Sequence, residues 1–203
     1  MKCRVLTVIL FSLVSFATNA QEWAFELWHD GKIVLVSGDT LKGLVKYDLQ
    51  QDIVQYNSQR GNIEAYGARK VLFFEIFDTT VGQYRHFFAL PYSASTGYRA
   101  PVFFELLAEG KMTLLMRENL EYRTYSSPYY FGSYSRLVLV YKYYLLEENG
   151  NIVEFIGKKA ELMTLMGKRA EAVEDYMREN KLKLDDRDDF AKIVAYYNSF
   201  FKT

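Results

Sequence analysis

From Trp23 to Phe155 the chain repeats one pattern. Short apolar runs rich in Val, Ile, Tyr and Phe are cut by polar turn signals, as in a chain of β-strands. His29-Asp30-Gly31-Lys32 separates a run ending at Trp28 from Ile33–Val36, and Ser37-Gly38-Asp39 separates that from Leu41–Tyr47. Arg60-Gly61-Asn62, Glu109-Gly110-Lys111 and Glu148-Asn149-Gly150-Asn151 divide later runs in the same way. Asp-Gly and Asn-Gly suit tight hairpins because Gly accepts the positive φ they demand, so the runs predict antiparallel neighbours. Val71–Phe77 and Leu137–Leu146 are apolar at nearly every position, the pattern of strands covered on both faces.

After Gly157 the period changes. Lys158–Met166 gathers Leu162, Met163 and Met166, and Lys168–Asn180 gathers Ala170, Val173, Tyr176 and Met177. Arg187–Phe201 sets Phe190, Ile193, Val194, Tyr197 and Phe201 at the spacing of a buried helical stripe. Asp185, Asp186, Asp188 and Asp189 stand where a helix start needs acceptors for its free N–H groups. The expected fold is mainly β (α+β): an antiparallel β-barrel or sandwich over residues 21–156. A helical segment of about three helices, 157–203, packs on it and covers the two apolar strands.

Residues 1–20 stand outside that fold. Lys2 and Arg4, the apolar run Val5–Phe16 and the small residues of Ala17-Thr18-Asn19-Ala20 read as a secretory signal peptide. The run is shorter than the roughly 20 apolar residues that cross a bilayer, and no later stretch reaches that length. The expected address is export: periplasmic, outer-membrane-associated or extracellular, with peripheral membrane association compatible.

Cys3, the sole cysteine, lies within that leader, so the mature chain is expected to lack disulfides, thiolate nucleophiles and cysteine metal sites. Without Lys2 and Arg4 the basic count falls from 25 to 23 against 25 acidic residues, a net of −2, and the two signs interleave. Nucleic acid, which calls for a basic excess, is set aside as a partner.

Little in the sequence carries catalysis. His29 and His86 lack partners at ligand spacing, so no metal site is expected; His29 falls in a predicted turn and reads as exposed. No G-x-S-x-G elbow and no phosphate loop occur, and no cofactor is implied. Glu75 and Glu105, each inside an aromatic run, could form an acid/base pair of the glycosidase kind across a cleft. The plainer expectation is that each faces outward or pairs with a cation on a neighbouring strand.

Aromatic residues make up 17% of the chain, and most lie in predicted strands, where packing accounts for them. The stretch RTYSSPYYFGSYSR at 123–136 differs. Pro128 and Gly132 argue against a regular strand, and serines separate Tyr125, Tyr129, Tyr130, Phe131 and Tyr134. Tyr with Ser is the composition of adaptable binding loops. Together with Tyr98 and Arg99 of the YSASTGYRA stretch, these residues are the candidate contact surface for an envelope protein or a glycan.

Several segments together resemble a family of uncharacterised exported proteins of the Bacteroidota: DGKIVLVSGDTLKGLVKYDLQQDIVQY at 30–56, YGARKVLFFEIFD at 66–78, YRAPVFFELLAEGKMTLLMRE at 98–118 and IVAYYNSF at 193–200. The resemblance rests on turn and core positions such as Gly38, Gly43, Asp78, Gly110, Leu114, Tyr197 and Asn198. It implies a shared fold and lends no activity. The leading functional expectation is a non-catalytic cell-envelope protein that binds a macromolecular partner. Alternatives are a barrel-type carrier of an apolar ligand and a glycan-acting hydrolase using Glu75 and Glu105.

Overall fold

The computed structural model of the chain describes residues 24–58, 61–93, 97–127 and 132–201. Residues 1–20, expected to be a leader, lie outside them, as do Trp23 and the stretch Pro128, Tyr129, Tyr130 and Phe131. A 3₁₀ turn at Ala24–Glu26 precedes ten strands: β1 (His29–Leu35), β2 (Thr40–Asp48), β3 (Ile53–Asn57), β4 (Ile63–Gly67), β5 (Val71–Asp78), β6 (Gln83–Tyr92), β7 (Ala100–Ala108), β8 (Thr113–Ser127), β9 (Gly132–Leu146) and β10 (Ile152–Phe155). They form a single antiparallel sheet in the order β10-β9-β8-β7-β6-β5-β1-β2-β3-β4. Two meanders, β1–β4 and β5–β10, are therefore joined side by side through β1 and β5.

The sheet is mainly β as expected, but it is open: β10 and β4 end it without pairing to each other, so it is not a barrel. It is strongly curled instead. The rings of Tyr47 on β2 and Phe103 on β7 lie 5.7 Å apart, although four strand spacings of about 4.8 Å separate them along a flat sheet. Curling buries one face against itself. Phe74 stacks on Phe87 at 4.6 Å, and Ile33, Val45, Val54 and Ile76 fill the space around them.

Directly opposed residues in an antiparallel pair share a face. Ile33, Phe74, Phe87, Glu105, Met116, Tyr143 and Phe155 are paired in turn and make one buried row across seven strands. Beyond Glu105 that row passes under the helices α1 (Lys159–Met166), α2 (Ala170–Glu179) and α3 (Arg187–Ser199). A single 3₁₀ turn at Gly167–Arg169 joins α1 to α2, so the three expected helices condense into two helical bodies. Leu162, Met166, Val173, Met177, Phe190, Ile193, Val194 and Tyr197 point at the sheet, as their periodicity predicts. Phe201, at the end of the predicted stripe, is exposed. Asp186 caps α3, its side chain accepting from the N–H groups of Asp188 and Asp189.

Asn198 fastens α3 to the sheet. Its side chain accepts from Met112 N–H at 2.8 Å and donates to the carbonyls of Met112 and Glu109 at 2.8 and 3.2 Å. Gly110 makes room for it: a Cβ there would stand 2.7 Å from the Asn198 amide, and the residue's φ of +153° also favours glycine.

Three local expectations are corrected. His29-Asp30-Gly31-Lys32 is not a turn but the first half of β1, and His29 is buried. Gly31 is there for close approach, since a Cβ would meet the Glu75 carbonyl oxygen at 2.2 Å. Neither apolar strand is covered throughout. β5 alternates between buried and partly exposed positions, and β9 is buried on both faces only at Tyr143 and Tyr144. There the end of the β6–β7 hairpin folds over the face opposite the helices, with Tyr92 edge-on to Phe104 and Tyr144 at 5.5 and 5.4 Å.

Candidate functional site

β8 and β9 pair through fifteen rungs, from Thr113 opposite Leu146 to Ser127 opposite Gly132. Their neighbours stop early. β7 pairs with β8 only as far as Met116, and β10 pairs with β9 only back to Tyr143. Among the described residues, the ribbon from Arg117 and Lys142 outward has no strand on either side. At about 3.3 Å per residue, those eleven rungs form an arm roughly 35 Å long. The stretch expected to be a loop is thus mostly the two strands of this arm. β8 runs to Ser127 and β9 starts at Gly132; Pro128 lies outside the described residues.

The two faces of the arm differ. One carries Leu120 opposite Leu139, Tyr122 opposite Leu137, and Tyr141; the other carries Arg123 opposite Arg136 and Tyr125 opposite Tyr134. Tyr125 and Tyr134 stack at 5.6 Å, and the Arg136 guanidinium lies 5.0 Å from the Tyr125 ring. Large apolar groups are left in solvent: Tyr122 is 78% exposed, Tyr134 58%, Tyr141 43% and Leu137 36%. Tyr122, Leu137 and Tyr141 were not singled out from sequence. Leu137 and Tyr141 belong to an apolar run that reads as core, and only the early end of β10 shows otherwise; Tyr122, between Glu121 and Arg123 on β8, is left exposed because β7 stops pairing at Met116.

Of the predicted contact residues, Tyr125 and Tyr134 lie on this arm. Tyr129, Tyr130 and Phe131 fall outside the described residues. Tyr98 and Arg99 belong elsewhere. Arg99 donates to Asn151 in the β9–β10 turn at 2.6 Å, and Tyr98 accepts from Arg69 at 3.0 Å. The folded-over β6–β7 hairpin carries both to the opposite end of β9 from the arm's tip, so they do not extend its surface.

At the root of the arm lies a buried charge network. Arg85 donates from Nε and Nη2 to both oxygens of Glu105, at 3.0 and 2.7 Å, from Nη2 to Glu118 at 2.8 Å, and from Nη1 to Asp78 at 3.3 Å. Arg187, at the start of α3, also donates to Glu105. Asp78 further accepts from Thr80 N–H and Oγ1 at 2.9 and 2.6 Å. Burial disfavours the Arg85 charge, but Glu105 and Glu118 outweigh that and raise its pKa. Burial would raise the Asp78 pKa too, yet the Thr80 bonds and Arg85 bring it below the ordinary value. The Glu118 pKa is raised, first by burial and then by the charge of Glu105, against the pull of Arg85.

A raised carboxyl pKa contributes stability below the ordinary value and loses it as pH climbs through the folded-state value. Glu118→Gln removes this titration and keeps the shape. Its denaturation midpoint, relative to wild type, should therefore rise as pH climbs above the ordinary carboxyl range of about pH 4. A difference that stays flat or falls would show that Arg85 holds Glu118 fully charged.

Glu75 and Glu105 do not form a pair. Glu105 lies in the buried row and Glu75, next to Phe74, points to the other face, where it meets Lys32 at 2.9 Å and His86 at 3.5 Å. Both oxygens of Glu105 are occupied by guanidinium groups. Among the described residues no three His, Cys, Asp or Glu side chains are grouped to hold a metal ion, and no helix is long and apolar enough to cross a membrane. Two surface hollows of about 650 and 620 Å³ lie by the helices, and neither reaches the aromatic interior of the curled sheet. The first sits beside the α2–α3 connection; the second runs along β9 from Leu139 to Tyr143, walled by Ile156, Gly157, Leu184 and Asp185. Comparison with protein-family models, with curated proteins and with solved structures finds no match.

Proposed function

We propose that the chain is an exported, non-catalytic protein of the cell envelope that works by contact, with the β8–β9 arm as its contact element. The observation that carries this reading is the unaccompanied ribbon itself. Two-stranded ribbons are at best marginally stable in water, and this one exposes Tyr122, Tyr134, Leu137 and Tyr141 along its length. The leader-like first twenty residues and the resemblance to exported proteins of the Bacteroidota support the envelope address. The plainer reading of Glu75 and Glu105, each satisfied by a neighbouring cation, supports a role without catalysis. Among the described residues the sheet stays open between β4 and β10, which favours contact over enclosure of a ligand.

The test is capture from envelope extracts with wild type and a Tyr122→Ser/Tyr134→Ser/Tyr141→Ser variant. These side chains lie at the surface, so the variant should melt within a few degrees of wild type and lose the proteins that wild type retains. An unchanged set of retained proteins would remove the arm as the contact element.

A further inference from the structure

The outer edge of β9 from Gly132 to Lys142 is an unusual edge. Exposed edge strands are ordinarily protected by charge, proline or a bulge. Here Leu137-Val138-Leu139-Val140-Tyr141 carries none of these, and its register with β8 is unbroken. Its sequence is that of a covered strand, yet among the described residues no strand pairs with it; Val138, Leu139 and Val140 are half-buried, and from Leu139 to Lys142 the edge faces an open hollow walled by Ile156, Gly157, Leu184 and Asp185. Resting on the reading of the arm as a contact element, we infer that the occupant of this edge is a second copy of the chain, added antiparallel through β9 about a two-fold axis at Leu137.

Three observations select this occupant and register. The free edge of eleven residues has Leu137 as its midpoint, so self-pairing there uses every rung and stops where β10 begins. In this register Arg136 stands opposite the second copy's Val138, Lys142 opposite Gly132, and Tyr134 opposite Val140, an aromatic–β-branched pair of the favoured kind. Centring on Arg136 or on Leu139 would instead set cation against cation. The hollow beside Leu139–Lys142, about 620 Å³, is the slot that the added strand must enter. The segment that enters is Gly132-Ser133-Tyr134-Ser135, three of whose four side chains are small. The product is a four-stranded antiparallel sheet, β8-β9-β9-β8, with Tyr122, Leu137, Leu139 and Tyr141 of both copies on one continuous face.

The experiment uses the purified chain carrying Cys3→Ser, with Leu137→Cys or Tyr122→Cys added singly. Mild oxidation should link two Leu137→Cys chains, since the axis places that residue beside itself, and leave the Tyr122→Cys chain, on the far strand of the arm, unlinked. Sedimentation should give a dimer. Leu137→Lys, which opposes two ammonium groups, should weaken it about fivefold or more, whereas Val138→Glu, opposite Arg136, should tighten it. A chain that sediments as a monomer at 100 μM (about the upper end of the micromolar range in which weak contacts form), equal linking at both positions, or weakening by both substitutions would overturn the inference. A monomer whose arm variant still loses its captured proteins would discard self-pairing and keep the arm as the contact element. A dimer whose arm variant keeps its captured proteins would do the reverse.

Discussion

Arg85→Ala is expected to cost about 3–5 kcal/mol of folding stability, the usual consequence of stranding buried charge. The alanine leaves Glu105, Glu118 and Asp78 within one buried pocket, with Arg187 alone to answer the three carboxylates. Urea denaturation read by near-UV circular dichroism would measure it. Two features separate this cause from simple loss of packing. The deficit should shrink as pH falls and the stranded carboxylates take up protons. It should also shrink when Glu105→Leu is added, because removing both partners of a buried ion pair costs less than removing one. A single-variant loss within about 1 kcal/mol of wild type, on the scale of a surface ion pair, would mean that water reaches the network freely.

Phe190→Ala is expected to cost a similar amount, about 3–5 kcal/mol, but through a cavity. Phe190 is fully buried, with its ring 5.0 Å from Tyr143 on β9 and 5.2 Å from Phe155 on β10. It is the aromatic anchor by which α3 holds the sheet, whereas Asn198 is the polar one. For a chain of this size the loss corresponds to a fall in melting temperature of roughly 6–20 °C. Amide exchange should locate it: protection should drop across 159–199 and along β9–β10 before it drops in β1–β4. An even drop over the whole chain would show instead that the helices and the far end of the sheet unfold as one unit.

The strands, the hairpin turns at Gly38, Gly61, Gly110 and Gly150, the helical stripe of α3 and its Asp186 cap were legible in sequence because each depends on near neighbours. What escaped depends on partners far along the chain. Gly31 was taken for a turn residue because the carbonyl that excludes a side chain there, that of Glu75, is more than forty positions away. The charge network was overlooked although its pattern was present. Asp78 is in phase with the core residues Phe74 and Ile76, Arg85 with Phe87, Glu105 with Phe103, and Glu118 with Leu114 and Met116. A charge in core phase on four strands in succession is a signal that could have found it. The arm was half legible: its aromatic content stood out, but local composition cannot tell where β7 and β10 end. The three-dimensional limits of those neighbours, not the residues of β8 and β9, turn an apolar run into an exposed one.

The joint between β1 and β5 also governs how the sheet assembles. Every other strand pair closes across a short connection, whereas β1 must find β5 over a loop roughly tenfold longer, an added entropic cost of about 2 kcal/mol. Two locally zippered halves therefore form cheaply, and the slow event in folding is their meeting along a seam that only a glycine lets close. Once met, the halves share one interior, with Tyr47 of β2 packed on Phe74, Phe87 and Phe103 of the other half, so the joint that forms last is sealed by the common core.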